Sequence, residues 1–329
     1  MQVALIGAGR IGTNHAGILA AIDGVDSLLI ADLAHERAVE LAESISIASA
    51  VDVDAAFTAD AIVIASSTDT HADLLIRTAE AGIPAFCEKP IALDLASTRR
   101  AVEAVEQAGT AVQMGFQRRY DPAIRAIRNQ IESGELGTPY LIRSQTHDPE
   151  PPPLDYLPVS GGIFKDCLIH DIDVVRYVSG QEVIAVTAHG AVLGFDAISA
   201  LGDVGTAIVT AEMSGGTLAQ LSALRHDPVG YDVRLEVFGS GTSSAAGWSA
   251  RSPIHSTEPS VGKTPDPIVS FWDRFGDAYI AEMEAFIRVL NGEEDPASTP
   301  VDAYEDLRVA VACDRSLAEQ RRVLLEEIE

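Results

Sequence analysis

Gln2-Val3-Ala4-Leu5-Ile6-Gly7-Ala8-Gly9-Arg10-Ile11-Gly12 opens the chain, and the reading of this stretch decides the first half of the fold. The short apolar run at 2–6 predicts a buried strand. The spacing G-x-G-x-x-G then predicts a tight turn, and the amphipathic stretch from about Ile11 to Ile22 predicts the helix that follows. In that setting Gly7 permits the turn, Gly9 lets phosphates approach the backbone, and Gly12 lets helix and strand pack closely. The helix N-terminus supplies an anion site, so Gly7, Gly9, Arg10, Ile11 and Gly12 are candidate cofactor residues. A second apolar run, Leu28 to Ala31, ends at Asp32, 20 residues beyond Gly12. A carboxylate there accepts hydrogen bonds from ribose hydroxyls and repels a 2′-phosphate, so the expected cofactor is NAD rather than NADP. Arg37 nearby is suited to soften that preference. The competing reading is a glycine turn that binds nothing, with Asp32 as a helix cap.

Outward from this point the pattern repeats. Apolar runs at 61–65, 85–87 and 111–114 alternate with helical stretches near 71–81 and 94–108. Alternation of this kind predicts a doubly wound parallel sheet covered by helices, an α/β unit over residues 1–118. The pattern changes after Arg118. One helix is expected at about 122–133, then β-branched, alternating runs at 139–146, 183–192, 205–213, 217–224 and 231–238 predict a largely antiparallel sheet. A proline-rich loop (Pro149, Pro151, Pro152, Pro153) and a helix from Ile169 to Val178 interrupt them, the segment 239–247 reads as a loop, and helices close the chain near 276–291 and 301–319. Residues 119–329 therefore form a second, α+β domain.

Composition bounds the partners. The 329 residues are 47% hydrophobic, enough for two cores, and carry a formal net charge of −26. A polyanion repels phosphate backbones and anionic lipid, so neither nucleic acid nor a membrane is an expected partner. No stretch approaches the roughly 18 apolar residues of a membrane span, and no secretory signal is visible. Cys87, Cys167 and Cys313 lie far apart, which fits a reducing cytoplasm. His15, His35, His147, His189, His226 and His255 show no metal-ligand spacing, so no metal is expected.

Two segments carry candidate chemistry. Glu88-Lys89-Pro90 follows an apolar strand at the sheet edge that faces ligands in doubly wound folds. Lys89 there reads either as a donor to a substrate oxygen or as half of a surface ion pair with Glu88. Asp166 and His170 are four residues apart, on one face if the segment is helical, as expected of a general acid–base pair, with Asp173 as a supporting partner. The alternative is a capped helix start with a satisfied histidine.

Five motifs occur in order: Gly7 to Gly12, Thr68-Asp69-Thr70-His71, Cys87-Glu88-Lys89-Pro90, Gly115-Phe116-Gln117-Arg118-Arg119-Tyr120-Asp121-Pro122, and Gly161-Gly162-Ile163-Phe164-Lys165-Asp166 with His170-Asp171. Together the sequence resembles the glucose–fructose oxidoreductase/inositol dehydrogenase family, and within it the inositol 2-dehydrogenase branch. The likeness continues through Asp148-Pro149, Gly230-Tyr231-Asp232 and Arg274-Phe275, and covers essentially the whole chain. It implies a Rossmann domain followed by an open-faced sheet domain for substrate binding and oligomerisation. It implies catalysis by Lys89, Asp166 and His170, without deciding which of Lys89 and His170 takes the proton. Thr68, His71 and Glu88 would join the cofactor site, and Gln117, Arg118, Asp148 and Tyr231 would join Lys89, Asp166 and His170 around a polyol or sugar. The implied reaction is NAD-dependent oxidation of a secondary hydroxyl, in a homotetramer built through the open sheet face. Gln117 stands where relatives often carry Asn or Met, which leaves the inositol isomer or sugar open. A dehydrogenase of another sugar, a dinucleotide-binding sensor without activity, and redox-neutral glycoside cleavage are the competing functions.

Overall fold

The computed structural model describes residues 1–259 and 266–329. They fall into two compact units, Met1–Gln117 with Asp277–Glu305, and Arg118–Gly276 with Asp306–Glu329.

Among the described residues the first unit holds a sheet of six strands. These are β1 (Gln2–Ile6), β2 (Ser27–Ala31), β3 (Ala48–Ala50), β4 (Ala61–Ile64), β5 (Ala85–Glu88) and β6 (Val112–Gly115), in the order β3-β2-β1-β4-β5-β6 with every pair parallel. The helices α1 (Arg10–Leu19), α2 (His35–Glu43), α3 (Val53–Ala56), α4 (Thr68–Glu80) and α5 (Leu95–Ala108) connect them. All four residues of β4 are buried, as a strand covered on both faces requires. Asp94 caps α5 by accepting the Ser97 N–H at 2.8 Å, and Gly109 ends it at φ 66°. Strand order reverses between β1 and β4, and ligands of such sheets bind outside the strand C-termini at this reversal. Gly7 follows β1, Asp32 follows β2, and Glu88-Lys89 ends β5, all at that edge.

The stretch Asp277–Glu305 corrects the expected boundary, which assigned everything from residue 119 onward to the second domain. Met283, Phe286 and Ile287 join Leu5, Val63 and Phe86 in the core of the first unit. The Gln113 side chain donates to the Glu282 carbonyl at 2.9 Å, and the Met114 N–H donates to that of Ser298 at 3.0 Å. An apolar helix stripe states that it needs a partner surface without saying which one, so the return of the chain is not written in local pattern.

The second unit holds β7 (Pro139–His147), β8 (Val183–Ala191), β9 (Thr206–Met213), β10 (Leu218–Leu224), β11 (Asp232–Gly239), β12 (Ser243–Ala246) and β13 (Val323–Leu324). Their order is β12-β11-β7-β10-β9-β8-β13. All pairs are antiparallel except β7 with β10. Burial alternates along β9 and β10, so one face is packed while Ile208, Thr210, Leu218 and Gln220 are exposed on the other. The segment 239–247, expected as a loop, contains β12. Ser and Ala carry little strand propensity of their own, and backbone pairing with β11 decides the matter. Helices α6 (Pro122–Glu132), α7 (Leu157–Ser160), α8 (Ile169–Ser179) and α9 (Asp196–Ser199) belong here, while α10 (Phe271–Leu290) and α11 (Pro300–Glu319) run across the division of the chain. Asp121 caps α6 by accepting the Ala123 and Ile124 N–H groups, with Pro122 at the first helical position. Among the described residues no helix is long and apolar enough to cross a membrane.

Candidate active site

The turn after β1 has the geometry a dinucleotide needs. Gly7 adopts φ 110°, and a Cβ there would lie 2.5 Å from the Ala65 backbone. Its N–H donates to the Ala31 carbonyl at 2.8 Å, which ties the turn to the end of β2. A Cβ on Gly12 would lie 1.8 Å from the Gly7 oxygen, whereas one on Gly9 would meet nothing within 4 Å. Two glycines thus serve close packing, and the third leaves bare backbone at the N-terminus of α1, where anions are favoured. Arg10 is exposed and Ile11 half-buried at the start of that helix. Asp32 accepts the Ala8 N–H through Oδ2 at 2.7 Å and the Ala34 N–H through Oδ1 at 2.8 Å. A carboxylate has about four acceptor directions, so two remain for ribose hydroxyls. These residues fit NAD.

Deeper in the same unit, His15 is fully buried on α1 with its Nε2 2.8 Å from Glu88 Oε1. Glu88 Oε2 accepts the Lys89 N–H at 3.3 Å. The carboxylate therefore braces the segment carrying Lys89, and Lys89 itself is half-buried ahead of a cis bond to Pro90. His71 is 2% exposed, with Nδ1 2.9 Å from the Pro90 oxygen and Nε2 3.0 Å from that of Ser66. It joins the loop after β4 to the Lys89-Pro90 segment. Thr68 opens α4 half-buried. Asp69 and Thr70 lie inside the first turn of α4, behind Ser67 as the cap residue. Gln117, at the end of this unit, is 4% exposed.

In the second unit Asp166 lies in a π turn, Phe164–Leu168, and His170 is the second residue of α8. The shared-face argument assumed α spacing, and the π turn replaces it; such turns recur at functional sites. Asp166 Oδ2 accepts from Arg225 Nη1 at 2.5 Å, and Oδ1 accepts from the Tyr156 hydroxyl at 2.9 Å. Burial, then the neighbouring Asp166, pushes the Tyr156 phenol well above its usual range, so it stays a donor. Cys167 Sγ lies 3.2 Å from Arg225 Nη1 and 3.5 Å from Asp148 Oδ2. Burial raises the Asp148 carboxyl, against the hydrogen bond from Cys167. Arg118 donates to Asp171 Oδ1 at 3.2 Å and to the Thr146 hydroxyl at 2.7 Å, and Asp171 also accepts from Ser144 and Thr146. Tyr231, its phenol raised by burial, is 6% exposed and packs edge-on to Phe275. Asp173, expected to support His170, is a buried partner of Arg119 at 2.5 Å.

Two family models match the chain, "Oxidoreductase family, NAD-binding Rossmann fold" over residues 1–116 and "GFO/IDH/MocA C-terminal domain" over residues 124–244. The chain belongs to the Gfo/Idh/MocA oxidoreductase family. It is 37% identical to the myo-inositol 2-dehydrogenase of Thermotoga maritima, over 100% of this chain and 99% of that one. It is 33% identical to the scyllo-inositol 2-dehydrogenase (NAD(+)) of Bacillus subtilis, covering 96% of this chain and 94% of the other. Among solved structures, a myo-inositol dehydrogenase from Corynebacterium glutamicum superposes with a TM-score of 0.91 at 37% identity, covering 99% and 98%.

For a Gfo/Idh/MocA member, the residues that sequence reasoning missed are those that hold the named ones. Arg225 and Tyr156 bond Asp166, Asp203 pairs with Arg225, and His15 braces Glu88. His15 sits in the helix of the fingerprint and was findable as a polar residue on a buried helical face. Arg225 stands in Ala-Leu-Arg-His-Asp-Pro, where nothing local marks it.

Proposed function

We propose that the protein oxidises a secondary hydroxyl of a cyclic polyol with NAD, converting myo-inositol to 2-keto-inositol. The observation that carries this reading is the end-to-end similarity to a myo-inositol 2-dehydrogenase, spanning both the fingerprint and the Asp166–His170 segment. Bound NAD supplies the hydride acceptor; Gly7, Gly9, Gly12 and Asp32 hold it, with Arg10, Ile11, Thr68, His71 and Glu88 around them. The chain supplies placement and proton transfer. Lys89 and His170 address the reacting hydroxyl, and one of them takes its proton. Asp166 orients substrate and imidazole, and Gln117, Arg118, Asp148 and Tyr231 line the polyol site. The first unit serves mainly NAD, and the second unit serves substrate and assembly.

NADH absorbance with NAD and a polyol panel tests this. Lys89→Ala and His170→Ala should each lower turnover by about 10²-fold or more while NAD still binds. Parent-rate oxidation of myo-inositol by both variants rejects the assignment. Another inositol isomer is the second reading, supported by the scyllo-inositol enzyme at comparable identity and by Gln117. The panel decides it.

The reading extends to a cytoplasmic homotetramer formed through the open face of the second sheet. Exposed Ile208 (45%) and Leu218 (49%) on that face support an assembly surface, and Cys87, Cys167 and Cys313, buried as thiols, support a reducing compartment. Light scattering of the purified protein reads the assembly.

A further inference from the structure

The strongest unexplained feature is a buried arginine between two carboxylates. Arg225 is 1% exposed, yet it follows β10 in a segment with no sequence signature. Its Nη1 meets Asp166 Oδ2 at 2.5 Å, and its Nη2 meets Asp203 Oδ2 at 3.2 Å. Asp203 in turn accepts the Ile163 N–H at 3.1 Å and the Val204 N–H at 2.8 Å through Oδ1. Ile163 is the residue from which the π turn Phe164–Leu168 starts. Gly162, at φ 88°, leaves room for this carboxylate, since a Cβ there would already touch Asp203 Oδ1 at 3.4 Å. One guanidinium therefore fixes both the side chain of Asp166 and the backbone that carries it.

We propose that Arg225, with the Tyr156 hydroxyl on the opposite oxygen, is a positioning residue that sets the orientation of Asp166 for the oxidation. The inference rests on the polyol dehydrogenase reading above, in which Asp166 orients substrate and imidazole. A carboxylate with a hydrogen-bond donor on each oxygen is restrained in orientation, and here Cys167 Sγ also approaches Oδ2 at 4.0 Å. A planar fork does this with two fixed donors, whereas an ammonium group is a single rotatable point charge. Lysine at this position keeps the charge and loses the geometry. Displacing a reacting or orienting group by about 1 Å costs roughly 10²-fold in rate, so the effect belongs in turnover rather than in cofactor affinity.

The experiment compares the full-length parent with Arg225→Lys, Arg225→Ala and Tyr156→Phe, using NAD and the polyol the parent oxidises. Arg225→Ala should lose about 10²-fold in kcat, with KM for NAD within a factor of about two. Added guanidinium ion should restore at least about tenfold of that loss, which repair of a merely structural defect would not do. Arg225→Lys should melt near the parent and still fall about tenfold in kcat, and Tyr156→Phe should fall by a smaller factor. If Arg225→Ala does not fold, Arg225→Lys decides the question alone. Parent-like kcat in folded Arg225→Lys, or a folded Arg225→Ala whose loss guanidinium leaves untouched, overturns the inference. A parent that oxidises no polyol overturns the underlying functional reading instead, so the two failures are distinguishable.

Discussion

Gly9 and Gly12 are two glycines of one motif, and the geometry predicts opposite consequences for the same substitution. At Gly12 an added Cβ would stand 1.8 Å from the Gly7 oxygen, and real contacts essentially never fall under 3.0 Å, so that carbonyl must retreat by at least 1.2 Å. The strain falls on backbone, where no flexible side chain can yield. Overpacking of this kind costs about 1–3 kcal/mol, or roughly 1–2 °C of melting temperature per kcal/mol in a chain of 329 residues. The displaced atoms are the phosphate-binding turn itself, so Gly12→Ala should lose both stability and NAD. Gly9, with φ −81° and ψ −170°, already has a conformation that alanine adopts, and its Cβ would meet no protein atom within 4 Å. Gly9→Ala should therefore melt at or slightly above the parent without cofactor, since alanine loses less chain entropy on folding. It should still bind NAD about tenfold more weakly, ~1.4 kcal/mol, because the methyl stands where phosphate approaches. Differential scanning fluorimetry with and without NAD, beside titration calorimetry, reads both numbers. Two variants with the same cofactor-free melting temperature and the same NAD affinity would refute the separation of packing from approach.

Other perturbations follow from named contacts. Asp32→Ala removes the acceptor of the Ala8 and Ala34 N–H groups together with the charge that repels a 2′-phosphate, so the kcat/KM preference for NAD over NADP should fall about tenfold or more in parallel assays. An unchanged ratio would mean that another residue sets the choice. Asp171→Ala leaves fully buried Arg118 without its carboxylate and strips the acceptor of Ser144 and Thr146, a loss of about 3–5 kcal/mol that a urea midpoint would register; a midpoint near the parent's contradicts it. Hydrogen bonding from Arg321, then from the Leu324 N–H, lowers the Glu327 carboxyl from 4.5 to about 2. A depressed acid stabilises the fold above its unfolded value and loses that contribution as the pH falls through the folded one. Protection of the Leu324 amide, corrected for intrinsic exchange, should thus decline between about pH 4.5 and pH 2, and constant protection would count against the pairing.

What could be read from sequence follows the range of the interactions involved. The turn at Gly7–Gly12, the carboxylate at Asp32 and five of the six strands of the first sheet announce themselves in local pattern, and each appears where that pattern indicates, whereas β3, Ala48–Ala50, was not expected. The membership of Asp277–Glu305 was illegible, because Phe286 meets Phe86 across two hundred residues and its own helix only announces an apolar side. β12 was illegible for another reason: Ser243 to Ala246 borrow their order from the neighbouring β11. Within the candidate site the named acid, Asp166, was visible through its motif. Its holders were not, since Arg225, Asp203 and Tyr156 come from three separate loops that only the folded chain assembles. Sequence also overstated periodicity at Asp166, where the backbone winds as a π turn.

The discontinuous first unit bears on how such chains can be recombined. A fragment ending at Gln117 would omit Met283, Phe286 and Ile287, baring Phe86 and the apolar sheet side beneath them. Exchanging only the leading segment between relatives would set one protein's sheet against the other's helical return, so the residues facing Phe86 have to be matched along with it.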